Sequence, residues 1–201
     1  MEIREFLETL SSDTPTPGGG SACALSGALS ASLIAMVARL SYKKDQAEYR
    51  EMKEIERKAL IIQRKLYRAI EEDAQSFDAV MEAFRLPRDE EKQRLYRSRM
   101  IQKAYRKATV TPQKVCELSL RLVGFSKFLL RKGNQNAFSD TGVAAYLANA
   151  AFEGGMLNIR INLISIKEKV FKKEKERLLL QLLKRRDRLL RTIQEEIKKG
   201  G

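Results

Sequence analysis

Apolar residues recur along most of this chain at three- and four-residue intervals, the spacing of a helix with one buried face. Ile3, Phe6, Leu7 and Leu10 mark a short amphipathic helix over Glu2–Leu10, followed by the loop SSDTPTPGGG. Ser21 is placed to cap a helix running to about Ser41. The small residues Ala24, Gly27, Ala28, Ala31 and Ala35 would let other backbones approach it closely, which predicts a central helix wrapped by its neighbours. Ile55, Ala59, Ile62, Leu66, Ala69 and Ile70 mark a long helix over Gln46–Phe84 that breaks at Arg85-Leu86-Pro87. Asp89–Ala108 reads as a charged amphipathic helix. Thr111-Pro112 then reads as a cap plus a first-turn proline, opening a helix that ends near Lys132-Gly133. Thr141–Leu163 is a second helix rich in small residues. From Ile164 to Lys199, Leu178, Leu182, Leu183, Leu189, Leu190 and Ile193 form a stripe that should cover the bundle or a partner subunit. No strand-like alternation and no internal repeat occur. The predicted fold is all-α, one domain of long helices with a basic C-terminal helix.

Composition agrees with this pattern. In 201 residues, 43% hydrophobic and 32% charged, there are only four prolines to interrupt helices. Ala22–Ala38 carries no charge, but Ser26, Ser30 and Ser32 and many alanines make it a buried helix rather than a membrane span. Histidine is absent, and Cys23 and Cys116 have no zinc-ligand spacing, so no metal site is expected. Two isolated thiols in apolar windows read as core residues of a reduced, cytoplasmic protein. The net charge of +13 should attract polyanions, nucleic acid or an acidic small molecule among them. Much of the excess lies in KKEKER and KRRDR, where interspersed acidic residues suggest a solvated helix face. With no helix-turn-helix or aromatic stacking motif, a nucleic-acid-binding or scaffold protein is the less supported alternative.

Four polar clusters have no simple structural task. Gly18, Gly19, Gly20 and Ser21 offer backbone N–H groups at a helix N-terminus, an arrangement that binds anions but equally a turn with a cap. No Gly-Lys-Ser/Thr ending follows, which disfavours a nucleotide site. In EEDAQSFD, Asp73 shares a helix side with Ile70 and Ala74 and is expected to point partly inward. Burial would raise its pKa towards neutrality, where it can act as base or acid. GNQNAFSD gathers Asn134, Asn136 and Asp140, suited to an amide-bearing heterocycle or simply to a turn and a helix start. Asn158 and Asn162 lie four apart on one face of an apolar helix, where asparagine is unfavourable without a hydrogen-bonding task.

These clusters occur within PTPGGGSACALSGALSASLIAMVARLS, EDAQSFDAVMEAFRLP, IQKAYRKATVTP, GNQNAFSDTGVAA and NIRINL. In that order and spacing they resemble the formiminotetrahydrofolate cyclodeaminase and methenyltetrahydrofolate cyclohydrolase family, from about Pro15 to Leu163. With no transferase domain in these residues, the resemblance is to the stand-alone form. It implies an all-α homodimer acting on a one-carbon tetrahydrofolate with an acidic glutamate tail, needing no cofactor beyond that substrate. It further implies Asp73 and Asp140 as acid/base carboxylates. Gly18, Gly19, Gly20, Ser21, Gln102, Asn134, Asn136, Asn158 and Asn162 would bind the substrate, and Arg160 would pair with a carboxylate or the ligand. Many family members have lysine after the Leu-Pro pair where this chain has Arg88. Arginine cannot serve as a general base but would bind a glutamate tail.

Overall fold

The computed structural model describes residues 2–42 and 45–200, and every regular element within them is helical. In order these are α1 (Ile3–Leu10), α2 (Gly19–Leu40), α3 (Gln46–Arg85), α4 (Glu91–Ala108) and α5 (Val110–Lys132). A short 3-10 turn (Gln135–Ala137), α6 (Phe138–Ser165) and α7 (Lys169–Gly200) complete the chain.

The small-residue helix α2 is the axis of the bundle, with α3, α5 and α6 packed around it. Its small side chains make this possible. A Cβ on Gly27 would sit 2.9 Å from Leu66 Cδ1, so a larger residue there would push α3 away. The serines that interrupt its apolar run tie it to its neighbours. Ser26 Oγ donates to the Leu147 carbonyl at 2.9 Å and Ser30 Oγ to the Ala144 carbonyl at 2.7 Å, which fixes α2 and α6 antiparallel. Though α2 is long and apolar enough to cross a membrane, more than half of its apolar window is buried in the bundle.

Burial follows the predicted helix period. Ile55, Ala59, Ile62, Leu66, Ala69 and Ile70 of α3 are all buried against α2 and its neighbours. A second core, around Cys116, Leu120, Phe152, Met156, Ile159 and Leu163, joins α5 and α6 and is closed by Leu179 of α7. The leucine stripe of α7 thus covers the bundle, chiefly over α5.

Several ends differ from expectation. Ser21 does not cap α2; Gly18 does, and Ser21 lies within the first turn with its hydroxyl directed elsewhere. Thr109, not Thr111, precedes α5, and Pro112 sits inside the first turn, where a missing N–H loses no intrahelical bond. Glu90, not Asp89, caps α4 through a reciprocal pair with Gln93. In α1 only Phe6 is fully buried, while Ile3 and Leu7 remain exposed. α6 also runs two residues beyond Leu163, to Ser165.

Candidate functional site

The glycine turn ends at a cleft of about 390 Å³ formed by the 15–20 loop, the C-terminal part of α3, α4 and the C-terminal half of α6. This size is ordinary for a small-molecule site. Gly18, Gly19, Gly20, Asp73, Asn158 and Asn162 line it, so residues from three distant segments converge.

Asp73 is the only carboxylate in that lining. Its carboxylate is seated on the N-terminus of α2, accepting from the Ser21 N–H and, at 3.2 Å, from Ser21 Oγ. The same hydroxyl also donates to the Ile70 carbonyl at 2.9 Å, which anchors Ser21 to α3. Gly20 is required for this seat, because a Cβ there would stand 2.2 Å from Asp73 Oδ1. Burial pushes the Asp73 pKa up, and the two donations from Ser21 oppose that shift without cancelling it. Next to it, burial and the Asp73 charge raise the Cys23 thiol, so Cys23 is not a ready thiolate.

The opposite wall supplies acceptors. Asn158 Nδ2 donates to the Gly154 carbonyl at 2.8 Å, and Asn162 Nδ2 donates to the Ala108 carbonyl at 3.0 Å. Each amide nitrogen spends one N–H there, and among the described residues the side-chain oxygens have no protein partner. Phe77, Val80, Met81, Phe84, Ile161 and Ile164 form an apolar flank, and most of them are unusually exposed for their size. Tyr105 adds a phenol, its ring edge-on to Phe84 with centroids 6.2 Å apart. A proton-transfer group, hydrogen-bond acceptors and an apolar slot together suit a flat heterocycle that bears N–H groups.

Other residues singled out in the sequence lie elsewhere. Asp140 is in the first turn of α6, beside the C-terminal half of α2. At about 1.5 Å of rise per residue, it stands roughly 20 Å along α2 from Ser21 and Asp73. Antiparallel packing of α2 and α6 causes this separation, so one chain does not bring the two aspartates together. Asn134 has a structural task at that far end. Its N–H donates to Ser41 Oγ at 2.8 Å, its Nδ2 to the Leu40 carbonyl at 3.0 Å, and its Oδ1 accepts from the Asn136 N–H at 2.9 Å. It closes the C-terminus of α2 and starts the 3-10 turn, while the Asn136 side chain is exposed.

Gln102 is a clamp beside the cleft. Its Nε2 donates to the Ser165 carbonyl at 2.9 Å and its Oε1 accepts from the Lys167 N–H at 2.7 Å, which fixes the end of α6. Arg88 lies with Gln102 on an adjoining basic depression. Arg160 lines a groove between α6 and α7 with Leu163, Ile164 and Lys172. Among the described residues no three of Cys, Asp and Glu cluster as metal ligands would. Sequence reasoning passed over Tyr105, although it stands in the same IQKAYRKATVTP segment as Gln102.

The sequence and the helical arrangement recur in known proteins. The family model for formiminotransferase-cyclodeaminase matches residues 2–180. The chain belongs to this family. A methenyltetrahydrofolate cyclohydrolase of Methylorubrum extorquens is 35% identical over 98% of this chain and 95% of its own length. The formimidoyltransferase-cyclodeaminase of Mus musculus is 29% identical over 90% of this chain, which spans only 34% of that longer protein. The crystal structure of formiminotetrahydrofolate cyclodeaminase from Thermotoga maritima superposes with a TM-score of 0.89 at 26% identity, covering 99% of this chain and 96% of that one. Membership of the formiminotransferase-cyclodeaminase family thus extends from the sequence motifs to the whole helical arrangement.

Proposed function

We propose that this protein is a one-carbon folate enzyme working at the level of 5,10-methenyltetrahydrofolate, as a formiminotetrahydrofolate cyclodeaminase or a methenyltetrahydrofolate cyclohydrolase. The observation that carries the reading is the half-buried Asp73 carboxyl, held on the N-terminus of α2 in a cleft with an apolar flank and two asparagine acceptors. It belongs to a family whose relatives carry those two activities in their names.

Both reactions pass through a tetrahedral carbon bridging N5 and N10 of the folate. In the hydrolytic direction water adds to the methenyl carbon and loses a proton, and the resulting hydroxyl adduct then breaks its bond to N5, which takes up a proton while the hydroxyl gives up its own to become the formyl carbonyl. In the deaminating direction N10 attacks the formimino carbon and loses its proton, and ammonia departs after protonation. In each case one proton is removed early and one is delivered later. A single carboxyl whose pKa is raised towards neutrality can do both in turn, and Asp73 is assigned that role. Asn158 and Asn162 would accept from pterin N–H groups, the apolar flank would hold the ring, and the Gly18–Ser21 backbone would orient it. We assign no metal or cofactor beyond the folate.

The same reading includes a cytoplasmic homodimer. Leu29, Met36 and Leu40, one face of α2 by their spacing, and Val143 and Tyr146 of the adjacent α6 are all exposed. Pairing through a two-fold axis in that face and perpendicular to the helices would set the first turn of the partner's α6 over the cleft end of α2. A catalytic part for Asp140 requires such a partner. Sedimentation should report a dimer that Leu29→Glu with Tyr146→Glu converts to monomer; a wild-type monomer would remove Asp140 from the site.

The assay that separates the two chemistries is spectrophotometric. Loss of the near-ultraviolet band of 5,10-methenyltetrahydrofolate faster than in buffer supports the cyclohydrolase. Appearance of that band from 5-formiminotetrahydrofolate supports the cyclodeaminase. Neither change above the buffer rate would end the proposal.

A further inference from the structure

In a chain with 39 lysines and arginines and a net charge of +13, the Asp73 cleft is set apart by its charge. Its lining contains none of those cations and a single carboxylate. Charges beside it in the chain are paired outside the lining. Glu72, next to Asp73, accepts from Lys114 at 2.9 Å, and Arg106, next to Tyr105, is bound to Glu168. The positive end of the α2 dipole also meets the cleft, but it amounts to about half an elementary charge against the full charge of an ionised Asp73. The cleft is therefore a locally negative hollow in a positive protein.

The hydrogen-bonding capacity left over has the same sense. An ionised Asp73 can only accept. Among the described residues the Asn158 and Asn162 oxygens have no protein partner, whereas each amide nitrogen has spent one N–H on a carbonyl. Ser76 Oγ donates its one hydrogen to the Glu72 carbonyl at 2.7 Å, so towards the cleft it can only accept. Phe77, Phe84, Ile161 and Ile164 stand beside these acceptors. Apolar walls keep the local dielectric low, which strengthens the pull of a carboxylate on an opposite charge.

From this we infer that the cleft is an amidinium site: it selects ligands whose reacting nitrogens share a positive charge and discriminates against neutral ligands of the same shape. The inference rests on the functional reading above for the identity of the ligand and deepens it by fixing the ligand's charge. The 5,10-methenyl group is a cation delocalised over N5, the bridging carbon and N10. The 5-formimino group is an amidine, protonated in neutral water. Formyl and methyl groups on the same nitrogens carry no charge. In the methenyl form neither nitrogen bears a hydrogen, so its attraction to Asp73 is coulombic, whereas the formimino group adds N–H donors. Hydrolysis discharges the ligand, the charge leaving as a proton, so the formyl product loses the pairing that held the methenyl form. Deamination turns one cation into another, so its methenyl product should stay bound and inhibit.

The test uses the full-length protein and two small probes of one shape, benzamidine, an aromatic amidinium, and benzamide, its neutral counterpart. Binding is followed by NMR titration at physiological salt, with no turnover required. Hydrogen bonds to an ionised partner favour the charged probe by about tenfold or more. The wild type should therefore bind benzamidine at least about tenfold more tightly than benzamide, although the protein as a whole repels cations. Asp73→Asn should level the two affinities. Should that variant fail to fold, Ile161→Lys, at an exposed position of the same lining, should also level them by adding a cation. Equal binding of the two probes by the wild type overturns the inference, as does a preference that survives in a folded Asp73→Asn or in Ile161→Lys. A wild type that prefers benzamidine through Asp73 but turns over neither folate sinks the folate reading and leaves the amidinium site standing. A wild type that turns over a folate and is inhibited equally by benzamidine and benzamide keeps the folate reading and overturns the charge selection.

Discussion

Gly20→Ala is the most incisive perturbation of the cleft, because its expected effects on stability and on chemistry diverge. A Cβ at residue 20 would lie 2.2 Å from Asp73 Oδ1 and 2.5 Å from both Cγ and Oδ2. Ordinary contact requires the carboxylate to recede by roughly 1 Å, and misplacements of about that size cost on the order of a hundredfold in rate. The receding carboxylate also loses its bonds from Ser21, a helix-cap type of interaction contributing about 0.5–2 kcal/mol. Against that loss, alanine in a helix is favoured over glycine by about 1 kcal/mol. The two terms nearly offset, so Tm should move by no more than about 4 °C in a chain of this length. The expected result is a variant that melts like the wild type and has kcat/KM for 5,10-methenyltetrahydrofolate or 5-formiminotetrahydrofolate lower by about a hundredfold. Thermal melting by circular dichroism and initial-rate assays read the two quantities separately. A fully active variant, or a loss of activity that merely tracks unfolding, would refute the claim that Asp73 must sit against Gly20 to work.

Two further predictions concern titration. The acid limb of kcat/KM should lie above the ordinary aspartate range, because burial raises Asp73. Ser21→Ala removes a bond that holds this pKa down, so it should move the limb further up; a downward shift would contradict the assignment. At the other end of α2, Glu56 accepts from Tyr42, Arg39 and Lys53, and these bonds hold its pKa down to about 2. A depressed carboxyl pKa gives stability that is present above its ordinary value of 4.5 and is lost as pH falls towards 2. Glu56→Gln should lower Tm at neutral pH, with the gap to the wild type closing across that interval; an unchanged gap would show that the network adds no pH-linked stability.

The helical architecture was legible because burial has a period. The six apolar positions of α3 and the small residues of α2 fall where a packed helix needs them. Asp73 was legible for the same reason, since its angular position beside Ile70 and Ala74 turns it inward. The paired asparagines were found because asparagine on an apolar helix face requires a partner. What stayed hidden depends on through-space relations. Nothing in the order of motifs tells that α6 runs antiparallel to α2, and that direction alone separates Asp140 from Asp73. Asn134 and Gln102 are polar residues in marked segments, yet their side chains are consumed by backbone groups of other elements. Ser21 looked like a local cap, but its hydroxyl reaches α3, 49 residues away in sequence. Tyr105 lacked any pattern of its own and becomes visible only where α4 crosses the end of α6.

The central claim is that the Asp73 carboxyl transfers the protons at the bridging carbon. Its most direct test is the rate of change of the 5,10-methenyltetrahydrofolate absorbance with the wild type and with Asp73→Asn, which keeps the size and an acceptor for Ser21. The account predicts a folded variant whose rate is lower by at least about a hundredfold, the usual contribution of a general acid–base group. A folded Asp73→Asn protein working within about twofold of the wild type would contradict it, since a group supplying that contribution cannot be removed without loss.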